Sequence, residues 1–163
     1  MIHSISEEDD AGTPNPECQF EQALEKQYDL LVLEPPGLGE NCIRWIRVGN
    51  FLHKSAVLSA IGTLVITPCI PTKISFFTTF PLGVFGVCCA GIYGFSWQFD
   101  PCCKYQVDYR GRELTKIPSQ DIHTTSSVVL VKRNDKIRKL LHNSLSIAVV
   151  GYLSWVVYRH FNS

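Results

Sequence analysis

Residues 74–99 read ISFFTTFPLGVFGVCCAGIYGFSWQF, 26 consecutive positions without a formal charge between Lys73 and Asp100. As one helix they would rise about 39 Å against a hydrocarbon core of roughly 30 Å, enough for a tilted span starting near Phe80 or Pro81. Upstream, Ser55–Thr72 is a second uncharged run of 18 residues. It would rise about 27 Å, and Pro68 and Pro71 should end it early, so Phe51 and Leu52 are needed to complete it. Soluble cores seldom contain charge-free apolar runs of this length. The pair predicts a membrane protein, mainly α, built on a transmembrane helical hairpin over residues 55–99.

A third run, Leu140–Tyr158, has 19 residues without a formal charge but includes His142, Asn143 and three serines. Ile147, Val149, Val150, Leu153, Trp155, Val156 and Val157 make it apolar nearly all round, as in a span. Its polar start suits an interfacial helix instead. The span is the preferred reading, and it decides on which side the C-terminus lies.

Gly86, Ala90 and Gly94 recur four apart, on one helical face where a neighbouring backbone can approach closely. The first run answers with Ser55, Ser59 and Thr63, and with Ala56 and Ala60. Such stripes either pack the two spans together or form a homo-oligomer seam. Neither strong run carries an ionisable group that would mark a proton, ion or substrate route, which disfavours a transporter.

Residues 1–40 hold ten acidic side chains against one basic, whereas 41–163 hold fourteen basic against five acidic. Arg44, Arg47 and Lys54 precede the first run, and Lys132, Arg133, Lys136, Arg138 and Lys139 precede the third. The hairpin tip has Lys73 alone and the tail Arg159, so the longer segments share the positive side. The cluster from Lys132 to Lys139 is expected to meet anionic lipid headgroups rather than nucleic acid. Glu7, Glu8, Asp9 and Asp10 stand where a secretory signal would need a positive region and an apolar run.

Outside the runs, residues 1–18 form an acidic head expected to be disordered. Residues 19–54 should supply a helix at Gln19–Tyr28, a buried strand at Leu30–Leu33 stopped by Pro35 and Pro36, and an interfacial approach in which Trp45 either anchors at headgroup depth or packs under a sheet. Residues 100–139 should be β-rich, with strands at Tyr105–Tyr109, Arg112–Ile117 and Val128–Val131 joining Leu30–Leu33 in one small sheet at the membrane surface. Residues 140–163 are the third helix and tail.

Little in the chain suggests catalysis, and no catalytic, cofactor or metal site is expected. The seven cysteines form no Cys-x-x-Cys pair, and their odd number opposes a fully paired disulfide framework. Cys102 and Cys103 read first as structural thiols, then as acylation sites, and last as metal ligands with His123. Gly37-Leu38-Gly39 lacks the pattern of a phosphate loop and reads as a turn.

The twelve-residue strip Ser96-Trp97-Gln98-Phe99-Asp100-Pro101-Cys102-Cys103-Lys104-Tyr105-Gln106-Val107 closely resembles the signature of the mitochondrial morphogenesis regulator family. The resemblance extends to Glu21-Gln22-Ala23-Leu24-Glu25, Leu33-Glu34-Pro35, Arg44-Trp45-Ile46, Val48-Gly49-Asn50, Leu52-His53-Lys54, Val128-Val129-Leu130-Val131 and Leu141-His142-Asn143. It implies a multi-pass mitochondrial membrane protein, without enzymatic activity, that shapes mitochondria and cristae and associates with the contact-site and cristae-organising complex. A link to mitophagy receptors at the outer membrane is also implied, while the cristae role favours the inner membrane. Within the strip, Trp97 reads as an interfacial anchor and Asp100-Pro101 as the helix stop.

Overall fold

A computed structural model describes residues 2–5, 15–66, 69, 72–108 and 127–162. The chain divides into two compact units, residues 1–48 with 100–134, and residues 49–99 with 135–163. The fold is that of a membrane protein, mainly α, with a small mixed sheet.

The first unit is built on four strands, β1 (Ile2–Ile5), β2 (Leu30–Leu33), β3 (Tyr105–Val107) and β4 (Val128–Lys132), in the order β1-β2-β4-β3. β2 pairs parallel with β1 and antiparallel with β4, which pairs antiparallel with β3. All four β2 residues are buried, as a central strand covered on both faces requires. Ile5, Leu31, Leu33, Leu130 and Tyr105 pack with Phe20, Ala23 and Leu24 of α1 (Pro16–Lys26), and with Cys42 and Ile46 of α2 (Pro36–Ile66). Asn15 caps α1 with its side chain and Pro16 presets the first turn.

Two expectations need correction here. Ile2–Ile5, placed in a disordered head, is a strand, because pairing with the edge of β2 satisfies its backbone and Ile5 is fully buried. The acidic residues after it lie outside the described residues, as do Arg112–Ile117 and His123. Gly37-Leu38-Gly39 is the first turn of α2, not a loop, and a Cβ on Gly39 would come within 2.7 Å of Val128 Cγ2. The glycine there permits close approach of helix and sheet.

The second unit consists of helices. α2 contributes from Gly49 onward, followed by α3 (Thr72–Ser96) and α4 (Lys136–Phe161). No break separates an approach segment from the first run: one 31-residue helix covers both. Its charge-free part, Ser55–Ile66, rises only about 18 Å, short of a hydrocarbon core of roughly 30 Å. Phe76–Ser96 and Lys136–Phe161 are long and apolar enough to cross a membrane. Much of their apolar surface is uncovered: Phe77, Phe95, Ile147 and Phe161 are each about three-quarters exposed or more. A soluble protein rarely leaves such patches bare, whereas lipid is a good solvent for them.

Successive helices of this unit pack antiparallel. Gly49 faces Trp97 and Ser59 faces Gly86, so position falls along α2 as it rises along α3. Between α3 and α4 the same reversal runs from Phe76 against His160, through Gly83 against Leu153, to Ala90 against His142. The weakest of the three runs in sequence is thus a full member of the bundle.

Candidate functional site

The helical seam is set by side-chain size. On α2, Ala56, Ser59, Ala60 and Thr63 are buried at helical spacing. On α3, Gly86 fits against Ser59, where a Cβ would lie 2.9 Å from the serine Cβ. Ala90 packs with Ala56, Cys89 and Leu52. Gly94 departs from the expected stripe, since a Cβ there would meet only its own helix's Gln98 Oε1, at 3.6 Å. Gly83 takes its place on the seam towards α4, with Leu153 Cδ2 at 2.7 Å from the same imaginary Cβ. Gly86 and Ala90 are therefore occupied within the chain.

A polar node holds the three helices together in an otherwise apolar setting. His142 of α4 is buried, and its Nε2 lies 3.3 Å from the Ala90 carbonyl oxygen of α3. A carbonyl can only accept, so Nε2 carries the hydrogen; with a neutral ring, Nδ1 is then an acceptor. Nδ1 faces His53 Nδ1 of α2 at 3.4 Å, which fixes the His53 tautomer as the one protonated there. Both rings pack on the buried Tyr93, His142 at 4.7 Å and His53 at 5.4 Å between centroids. The Arg138 guanidinium lies over the other part of this cluster, 5.4 Å from the Tyr93 centroid, in a cation–π contact. Sequence reading met His53 and His142 within the strips that carry the resemblance, and His142 also as a polar interruption, but gave neither a role and did not single out Tyr93. Their separation along the chain leaves no periodic signal.

The basic run is divided by this arrangement. Arg138 turns onto Tyr93, Lys139 pairs with Asp135 at 2.7 Å, and Lys132 donates to the Gln27 carbonyl at 3.1 Å. Arg133 and Lys136 are exposed.

The signature strip is likewise shared out. Trp97 is buried against Gly49, whose missing Cβ makes room for the indole: a Cβ would collide with Cδ1 and lie 2.8 Å from Nε1. This replaces the interfacial-anchor expectation, and the exposed indoles are those of Trp45 and Trp155. α3 ends at Ser96, before Asp100-Pro101. Asp100 instead caps a 3-10 turn, Pro101–Lys104, by accepting from Cys102 N at 2.8 Å, and accepts from Trp45 Nε1 at 2.6 Å. Cys102 is buried with its sulfur 3.6 Å from that of Cys42, a neighbour 60 positions away, whereas Cys103 is half-buried. Hydrogen bonding between these thiols holds Cys42 below the usual thiol range and pushes Cys102 above it, with burial adding to the latter shift. Tyr105 is buried, donates to the Tyr28 carbonyl at 2.8 Å, and has its phenol raised chiefly by burial.

Between α3 and α4 an open apolar groove of about 510 Å³ is lined by Val84, Val87, Cys88, Val150, Leu153 and Ser154. Among the described residues, no three His, Cys, Asp or Glu side chains gather as a metal-holding group.

Residues 1–158 match the family described as mitochondrial morphogenesis regulator. Transmembrane protein 11-B, mitochondrial, of Xenopus laevis is 42% identical over 146 residues, covering 90% of this chain and 78% of the relative. Transmembrane protein 11, mitochondrial, is 43% identical over 143 residues in both Danio rerio and Homo sapiens. Those alignments cover 88% of this chain and 76% and 74% of the respective relatives. No solved structure matches the chain. With a family match over nearly its whole length, and with helices long and apolar enough to span a bilayer, the chain belongs to the mitochondrial morphogenesis regulator family.

Proposed function

We propose that this chain is a non-catalytic, multi-pass organiser of the mitochondrial inner membrane that acts on cristae shape together with the contact-site and cristae-organising complex. The observation that carries the reading is the three-helix polar node. His53, His142 and the Ala90 carbonyl satisfy one another, and Arg138 rests on Tyr93, so the polar groups of the bundle serve helix assembly rather than a substrate. The apolar faces of α3 and α4 remain free to meet lipid or the helices of a partner, including a second copy.

The test is loss of the gene product followed by re-expression, with cristae lamellae measured by electron tomography. Cristae should be disordered without the protein and restored by the full chain; unchanged cristae on loss refute the role. Protease protection in intact and outer-membrane-ruptured mitochondria tests the membrane. Protection until rupture accords with the inner membrane, while cleavage in intact organelles would replace it with an outer-membrane adaptor for mitophagy receptors.

A further inference from the structure

We propose that Cys42 and Cys102 are a disulfide-forming pair that staples the first part of α2 to the 3-10 turn leading into β3. Three observations support it. The two sulfurs stand 3.6 Å apart, so bond formation at about 2.05 Å needs a closure of roughly 1.5 Å. Both thiols are buried in one apolar cluster between α2, α1 and the sheet, so each faces the other rather than solvent. Their hydrogen bond already aligns one sulfur as donor and the other as acceptor, and the depressed Cys42 thiol is the better nucleophile of the two.

The reaction is a two-step thiol–disulfide exchange with a disulfide of the R–S–S–R class, such as glutathione disulfide. The Cys42 thiolate attacks one sulfur of the oxidant, releasing RS⁻ and leaving a mixed disulfide. The Cys102 thiol then loses its proton and attacks Cys42 Sγ, expelling the second RS⁻. In total the cysteines lose two electrons and two protons, and the oxidant becomes two thiols. Because both sulfurs are enclosed in the folded unit, the exchange occurs as the chain folds, in a compartment kept oxidising. The closed loop would contain residues 43–101, tying the first part of α2 to the chain that follows α3. This pairing is independent of which partners the membrane helices hold, and cristae morphology does not enter its test.

The experiment uses the full chain in isolated mitochondria, acid-quenched, alkylated with N-ethylmaleimide in denaturant, and digested without reduction. Mass spectrometry should find the Cys42 peptide linked to the Cys102 peptide, released by reduction. Two fewer thiols should be alkylated than after reduction. Cys42→Ser should expose Cys102 to full alkylation, and Cys103→Ser should leave the bridge intact. Alkylation of both Cys42 and Cys102 in the quenched wild-type protein overturns the proposal, as does a bridge from Cys102 to any other cysteine. A second arm, free of variant folding, refolds the denatured, reduced wild-type chain into detergent in the presence of glutathione disulfide. The same linked peptides should appear, and a glutathione adduct on Cys42 that never resolves onto Cys102 counts against the pair.

Discussion

Replacing Gly86 with alanine adds one methyl at the tightest described contact between α2 and α3. Its Cβ would stand 2.9 Å from Ser59 Cβ, against about 3.5–4.0 Å for carbon atoms in ordinary contact. Ser59 Cβ is fixed to its backbone and cannot rotate away, so the helices must separate by up to about 1 Å and loosen neighbouring contacts. Overpacking of this kind costs about 1–3 kcal/mol. Alanine is also the better helix former, by about 0.5–1 kcal/mol, so the raw shift would understate the clash. Gly91→Ala supplies the correction, because its Cβ meets nothing within 4 Å on the same helix. The full chain would be unfolded with SDS in mixed micelles and followed by Trp fluorescence. Gly86→Ala should be less stable than Gly91→Ala by about 1–3 kcal/mol. Ser59→Gly in the Gly86→Ala background should recover part of the loss, with a coupling energy of about 1 kcal/mol. Equal stability of the two alanine variants, or strict additivity with Ser59→Gly, would refute the seam.

His142→Phe keeps a ring against Tyr93 but removes the contacts to Ala90 O and His53 Nδ1, and should cost about 1–3 kcal/mol in the same assay, the penalty for a buried polar group left without its partner; an unchanged midpoint would remove the node from the account of stability. In the reduced chain, the ultraviolet absorbance of thiolate should rise at lower pH than for a free thiol, and Cys42→Ser should remove that early step while Cys102 stays protonated through the alkaline range; a titration unchanged by Cys42→Ser would contradict the shared hydrogen bond. The stability linkage has opposite signs at the two sulfurs. Cys42, lowered on folding, stabilises above the unfolded thiol value of about 8.5 and loses that contribution as pH falls through its folded value. Cys102, raised on folding, contributes fully below the unfolded value and loses it only as pH climbs towards its folded one.

The parts that could be read from one dimension are those whose physics is local. Leu30–Leu33 declares a doubly covered strand by being apolar at every position and stopped by two prolines, and it is the centre of the sheet. The absence of charge from Ile74–Phe99 declares a long apolar helix, because each ionised group would be costly in lipid. Where local pattern competed with pairing, the reading failed. Ile2–Ile5 lies beside an acidic run and has too few apolar residues to fold by itself, yet the unpaired edge of β2 makes it a strand.

The candidate site escaped for a related reason. His53 and His142 are 89 positions apart, and Cys42 and Cys102 are 60, so nothing in the spacing of either pair marks it. Once the helices are known to be antiparallel, however, the pairs are constrained. Gly86 against Ser59 fixes the register of α3 on α2, and Gly83 against Leu153 fixes α4 on α3. Ala90 lies about two turns beyond Gly83, and His142, about three turns back from Leu153 along α4, reaches its carbonyl. Small-residue contacts thereby determine which polar groups can meet, and a buried imidazole finding a carbonyl and a second imidazole makes that register costly to leave. The specificity of the bundle rests on this combination. Glycines alone would allow sliding by a turn, since Gly94 offers another small surface, but no slide by a turn keeps His142 opposite both the Ala90 carbonyl and His53.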